Sequence, residues 1–141
     1  MTIPAWMLLA FAAWTLILLT FTVGIYRWYC ILLRDADIAG FRAGAVAGSD
    51  WYARGTRAHA NCVENLPVFA VIVIALNLSK VSGPLVDEVA IAIMIARILQ
   101  SLTHVLFVQT THVVTFRFGF FFVQLLGFFV LITTIVRAHV S

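Results

Sequence analysis

The sequence predicts an all-α integral membrane protein built as a bundle of four transmembrane helices. Three observations predict it. The 141-residue chain is 63% hydrophobic and 11% charged, with a mean hydropathy of +1.06, whereas a soluble domain is about half apolar and a quarter charged. Its apolar residues gather into four runs, and a membrane helix needs roughly 20 mostly apolar residues. The runs are joined by short connections, which suits a simple bundle, and the length suits one domain covering residues 1–141.

The first run, Ile3 to Leu33, is long enough to cross a bilayer, too long for a signal-peptide core, and has no basic segment before it. The second is the problem. Leu66 to Leu78 is only 13 residues, so to span it must extend backwards by about two turns through Asn65, Glu64, Asn61 and Arg57. That gives a helix over about 56–79 and draws the polar stretch "RGTRAHANCVENLPVF" into the membrane. A re-entrant segment is the alternative, and it fits an even set of short connections less well. Pro67 lacks a donor and crowds the preceding turn, which predicts a kink near Val63. The third run, Val89 to Val108, is interrupted by Arg97 and follows the turn signal "SGP" at Ser82 to Pro84. It predicts a helix over about 85–109. The fourth, Phe118 to Val136, predicts a helix over about 116–138.

Charge and cysteine usage exclude some functions. A formal charge of +3, thinly dispersed, is no nucleic-acid surface. Cys30 and Cys62 have neither metal-ligand nor disulfide-framework spacing and read as small buried hydrophobes. Arg34, Arg42, Arg54, Arg57 and Arg117 fall on the side of the first and third connections, whereas Lys80 and Arg137 fall on the other. The positive-inside rule therefore predicts a cytoplasmic location for the first side.

Two polar stripes cross this apolar background. At about 100° per residue, Arg57, Asn61 and Glu64 lie within about 60° of one another, and His59 points elsewhere. Arg97, Gln100, Ser101 and His104 follow i, i+3, i+4, i+7, again one face. Charged groups facing lipid cost several kcal/mol each, so both stripes should face the bundle or a partner subunit. Glu64 and Arg97 sit at similar depth on neighbouring helices, which predicts an ion pair between them. A polar seam that joins helices is the simpler reading for Asn65, Asn77, Ser101 and Gln124. Three strong polar groups on one face, Arg57, Asn61 and Glu64, are more than a seam needs. Arg27, Arg54, Arg57 and Arg117 should converge at the cytoplasmic edge, with His104 one turn inside. A single arginine there reads as a snorkelling side chain, but four together suggest a site for an anion.

These residues also carry a family resemblance. "RAHANCVEN", Arg57 to Asn65, resembles the second-helix signature of the MAPEG superfamily, membrane-associated proteins in eicosanoid and glutathione metabolism. "GIYR" at Gly24 to Arg27, "ARILQSLTH" at Ala96 to His104, and Arg117 resemble its first, third and fourth helices, and "ENLPVF" resembles its bacterial branch. The resemblance implies a homotrimer of four-helix bundles in the bacterial inner membrane. It implies glutathione as co-substrate, held between subunits at the cytoplasmic side by Arg27, Arg57, Asn61, Glu64, Arg97, Gln100 and His104. It also implies that Arg117 lies near the glutathione sulfur, and that a lipophilic electrophile or lipid hydroperoxide arrives from the bilayer. The chemistry is compatible. Arginine forks match the two carboxylates of glutathione, Glu64 suits its ammonium, and a neighbouring cation favours thiolate over thiol.

Two other function classes stay open at this stage. Ala60 stands where many active members carry a second arginine, and Phe118 and Phe121 where relatives carry hydroxyls. These substitutions point to a non-catalytic lipid- or partner-binding protein of the same fold. Glu64, Arg97 and His104 would be the groups of a proton or ion conductor, but the cationic mouth disfavours one.

Overall fold

The computed structural model describes residues 1–33 and 50–140. The glycine-rich first connection, with Arg34, Asp35, Asp37 and Arg42, lies outside the described residues. Among the described residues the protein is all-helical, and four helices are long and apolar enough to cross a membrane. It is an integral membrane protein.

Helix α1 spans Ile3–Leu33 and contains one wide π-helical stretch, Leu19–Gly24. α2 is Asp50–Leu78, α3 is Pro84–Leu106 and α4 is Thr111–Val140. The backward extension of α2 is longer than the span requirement alone demands. It runs unbroken from Asp50 through Pro67, with the Asp50 carboxylate in the first turn, where the helix dipole favours negative charge. α3 opens on Pro84 after Gly83, whose φ of 155° is rarely adopted by residues with a side chain. α4 begins five residues before the expected position. The Thr110 hydroxyl accepts from the Val113 N–H at 3.4 Å, satisfying one of the orphan donors of the first turn.

The helices run antiparallel in chain order. At one end Thr2 of α1 reaches the end of α2, its hydroxyl donating to Asn77 Oδ1 at 3.1 Å. The other end gathers the last turns of α1 and α3 with the first turns of α2 and α4. It carries Arg27, Arg54, Arg57 and Arg117, and is called the arginine end below.

α3 is the central helix, packed against α1, α2 and α4. Phe69 links the layers. Its ring centroid is 5.9 Å from that of Phe11 on α1 and 6.1 Å from that of Phe128 on α4, both tilted pairs of the kind aromatic rings favour. Helices approach closely where glycine allows it. A Cβ on Gly55 would lie 2.5 Å from Thr22 Cβ, and one on Gly127 would lie 2.7 Å from Ile93 Cγ1. Lipid supplies little hydrophobic drive between helices, so such close packing and buried hydrogen bonds hold the bundle. Trp6, Leu16, Phe21, Phe122 and Phe129 are exposed on its flanks, as lipid-facing side chains should be.

Candidate functional site

α3 turns its polar stripe inward. Arg97, Gln100 and Ser101 are buried, and His104 is half-buried at the arginine end. Arg97 is wholly enclosed. One guanidinium nitrogen, Nη1, donates to the Asn61 carbonyl at 3.3 Å, and the guanidinium carbon sits 5.1 Å from the Phe11 ring centroid, a cation–π contact. Its Nε and Nη2 are buried without a hydrogen-bond partner. Beside it, Ser101 Oγ donates to the Arg97 carbonyl at 2.8 Å and lies 3.4 Å from Cys62 Sγ.

The expected Glu64–Arg97 ion pair does not form among the described residues, because equal depth does not imply equal direction. The buried face of α2 is Tyr52, Gly55, Ala58, Cys62 and Phe69. Small residues there let α2 settle against its neighbours. The stripe of Arg57, Asn61 and Glu64 lies about a third of a turn round the helix from that face. Arg57 and Glu64 are accordingly exposed on the outside of the bundle, and Asn61 is half-buried. His59 points away from this stripe, its Nδ1 3.3 Å from the Thr15 carbonyl of α1.

Arg117 is buried in the second turn of α4. Its Nη2 donates to the Thr103 carbonyl at 2.9 Å and the Phe107 carbonyl at 3.3 Å. Arg54 of α2 donates from Nε to the Val105 carbonyl at 3.2 Å. These acceptors belong to the end of α3, whose last carbonyls have no partner within the helix and carry partial negative charge. Two arginines from two other helices therefore cap α3. Arg117 keeps donors beyond those two bonds, and its buried Nε has no partner.

Beside this cap is a cavity of about 290 Å³ lined by Gln100, His104, Gln109, Val114, Arg117, Phe118 and Phe121. A second cavity, of about 260 Å³, is lined by Asp50, Ala53, Arg54, Arg57, Val108 and Gln109. Gln109 borders both, and its Oε1 accepts from Arg57 Nη1 at 3.2 Å. The arginine end thus brings Arg54, Arg57, Gln100, His104 and Arg117 around two adjoining hollows. The remaining expected site residues lie elsewhere. Arg97 is about two turns deeper than His104, and Glu64 is on the outer face. Arg27 donates from Nε to the Tyr52 hydroxyl at 3.0 Å, and the Tyr52 ring stacks on Tyr26 at 4.3 Å.

Sequence reasoning missed Gln109, which borders both cavities, and Tyr52, the partner of Arg27, whereas Gln124, expected as a polar seam residue, does join α4 to α3 through Gln100. Gln124 had a legible signal, since it lies two helical turns after Arg117 on the same face of α4. Gln109 had none, because it belongs to the short link between α3 and α4.

A family model described as the MAPEG family matches residues 3–137 of the chain. No curated protein and no solved structure matches it.

Proposed function

The chain belongs to the MAPEG family, and from that premise we propose that it is a membrane-embedded glutathione-dependent transferase or peroxidase acting on lipophilic electrophiles or lipid hydroperoxides. One observation carries the reading. Arg117, a buried cation with no anionic partner among the described residues, forms part of the wall of a cavity between α3 and α4. A permanently charged group placed there favours an anion in the cavity, and a thiolate is the anion that glutathione can present.

The neighbouring side chains take matching roles. Arg54 and Arg57 line the adjoining hollow and suit the carboxylates of glutathione, as forked donors do. Phe118 and Phe121 give the Arg117 cavity an apolar wall for a lipophilic partner from the bilayer. Arg117 holds the sulfur as thiolate. In conjugation the new sulfur–carbon bond forms as the leaving group departs with its electron pair. In peroxide reduction the sulfur bonds to the terminal peroxide oxygen as the oxygen–oxygen bond breaks and the alcohol leaves, and the thiol of a second glutathione then displaces that oxygen as water to give the disulfide. His104, which also lines the cavity, stands where it can pass a proton to the departing group.

The outward stripe of α2 supports assembly. Arg57 and Glu64, exposed on the bundle, would be costly against lipid. Another copy of the chain covering this face, in a homotrimer, would bring Asn61, Glu64 and Arg57 to a subunit boundary beside the cavities. The excess of arginine at this end supports a site on the cytoplasmic side, and the resemblance of "ENLPVF" to the bacterial branch supports an inner membrane. Arg27, tied to Tyr52, would close the same end.

A second reading also has an observation in its favour. The hydrogen bonds of Arg117 go to carbonyls of α3, which suits a purely structural role in a non-catalytic lipid- or partner-binding protein. The Arg117→Ala variant separates the two. Loss of turnover of about a hundredfold with glutathione affinity changed only a few-fold supports the catalytic role, in line with loss of one preorganised charge partner. Turnover that survives the substitution removes that role.

A further inference from the structure

Gln124 is wholly buried on α4, two turns inward from Arg117. Its Nε2 donates to the Phe120 carbonyl at 2.9 Å and to Gln100 Oε1 at 2.9 Å. Gln100, itself buried, donates from Nε2 to the Arg117 carbonyl at 3.4 Å and borders the α3–α4 cavity. Gln124 Oε1 has no partner.

The direction of this chain is set by chemistry. A backbone carbonyl only accepts, so the group that Gln124 turns towards Phe120 must be its NH2. The same NH2 meets Gln100, so Gln100 must turn its carbonyl towards Gln124. Its own NH2 then faces the Arg117 carbonyl and the cavity. Inverting Gln100 would set two donors against each other at Gln124 and two acceptors against each other at the Arg117 carbonyl, and buried polar groups left in that state are costly.

We propose that Gln124 is a positioning residue that fixes Gln100 with its NH2 towards the α3–α4 cavity, so that Gln100 and Arg117 together offer that cavity a wall of hydrogen-bond donors suited to an anionic group. The selectivity of the wall rests on the reading of this cavity as the thiolate site, whereas the orientation of the amide chain does not. Gln124 touches no substrate. It acts through Gln100, and Gln100 acts beside Arg117.

The test uses the full-length protein in detergent micelles with 15N-labelled glutamine. The sequence holds only Gln100, Gln109 and Gln124, so the side-chain NH2 signals can be assigned by substitution. In the wild type the Gln100 NH2 should exchange with solvent at least about tenfold more slowly than a free amide, and should shift on addition of glutathione. Gln124→Met, which keeps the volume and removes the amide, should speed Gln100 exchange. It should also lower kcat for conjugation of an aromatic halide by about tenfold with little change in the KM for glutathione, the pattern of an interaction made mainly in the transition state. In a Gln100→Leu background the same substitution should have no further effect on kcat, because residues acting as one unit are not additive. A Gln100 NH2 that exchanges at the free rate in the wild type would overturn the proposal, even if the Met variant fails to fold. So would a Met variant that melts earlier with Gln100 exchange and kcat unchanged, or effects that multiply in the double variant. Failure of the wild type to bind glutathione overturns the donor wall as a thiolate site, and the exchange measurement still judges the amide chain separately.

Discussion

At the scale of single residues, two buried arginines set the problem. Arg117 has carbonyl partners and a cavity beside it, whereas Arg97 has one carbonyl, one aromatic face and two unpartnered nitrogens. A buried charge without an anion is costly, and replacing it with an apolar group of similar reach is often neutral or stabilising. Arg97→Met should therefore leave the melting temperature unchanged or raise it. A loss of about 3 kcal/mol or more, as when a buried pair is broken, would show that Arg97 has an anionic partner in the assembled protein. Arg117→Ala should destabilise as well as inactivate, because it leaves the Thr103 and Phe107 carbonyls of α3 without that donor. About 1–3 kcal/mol is expected for a buried acceptor left unsatisfied, read from denaturant or thermal unfolding. Arg117→Lys keeps the charge but loses the fork and should recover part of the stability before it recovers turnover.

At the scale of elements, glycine contacts decide how closely helices pack. Gly127 of α4 lies against Ile93 of α3, and an added Cβ would come within 2.7 Å of Ile93 Cγ1. Gly127→Ala should cost about 1–3 kcal/mol through overpacking, and adding Ile93→Ala should relieve part of that strain. Gly119→Ala, where nothing lies within 4 Å of the added carbon, should be neutral in the same unfolding measurement. The elements were largely legible in the sequence, for physical reasons. Run length required four spans, and the short second run required a polar extension of α2. The i, i+3, i+4, i+7 stripe of α3 required a buried face, since charged and polar side chains are costly against lipid. The start of α4, expected at about 116 and found at Thr111, was missed, although Thr110 is a capping residue type placed before the helix. The π-helical stretch of α1 was not legible, because Leu19 to Gly24 is as apolar as its surroundings. The direction of the α2 stripe was not legible either. Helical phase groups Arg57, Asn61 and Glu64 together but does not say which neighbour that group meets. The small residues Gly55, Ala58 and Cys62 decided it, and the Glu64–Arg97 ion pair failed for that reason.

At the scale of the whole molecule, the bundle presents one charged face that lipid should not cover and one cationic end that suits an anion. Both follow from where α2 packs, since its small face fixes Arg57 and Glu64 outside while Arg54 reaches the end of α3. In the proposed homotrimer, Glu64→Leu should shift purified protein towards smaller species by native mass or cross-linking. An unchanged trimer with unchanged glutathione affinity would separate Glu64 from both roles. The most direct measurement is a titration of the purified, detergent-solubilised protein with glutathione, followed on the same preparation by turnover of an aromatic halide and of a lipid hydroperoxide. Saturable binding with turnover of at least one substrate is the expected result, with turnover lowered about a hundredfold and binding largely kept in Arg117→Ala. Binding without turnover would contradict the catalytic reading, and no binding at all would contradict the glutathione site itself.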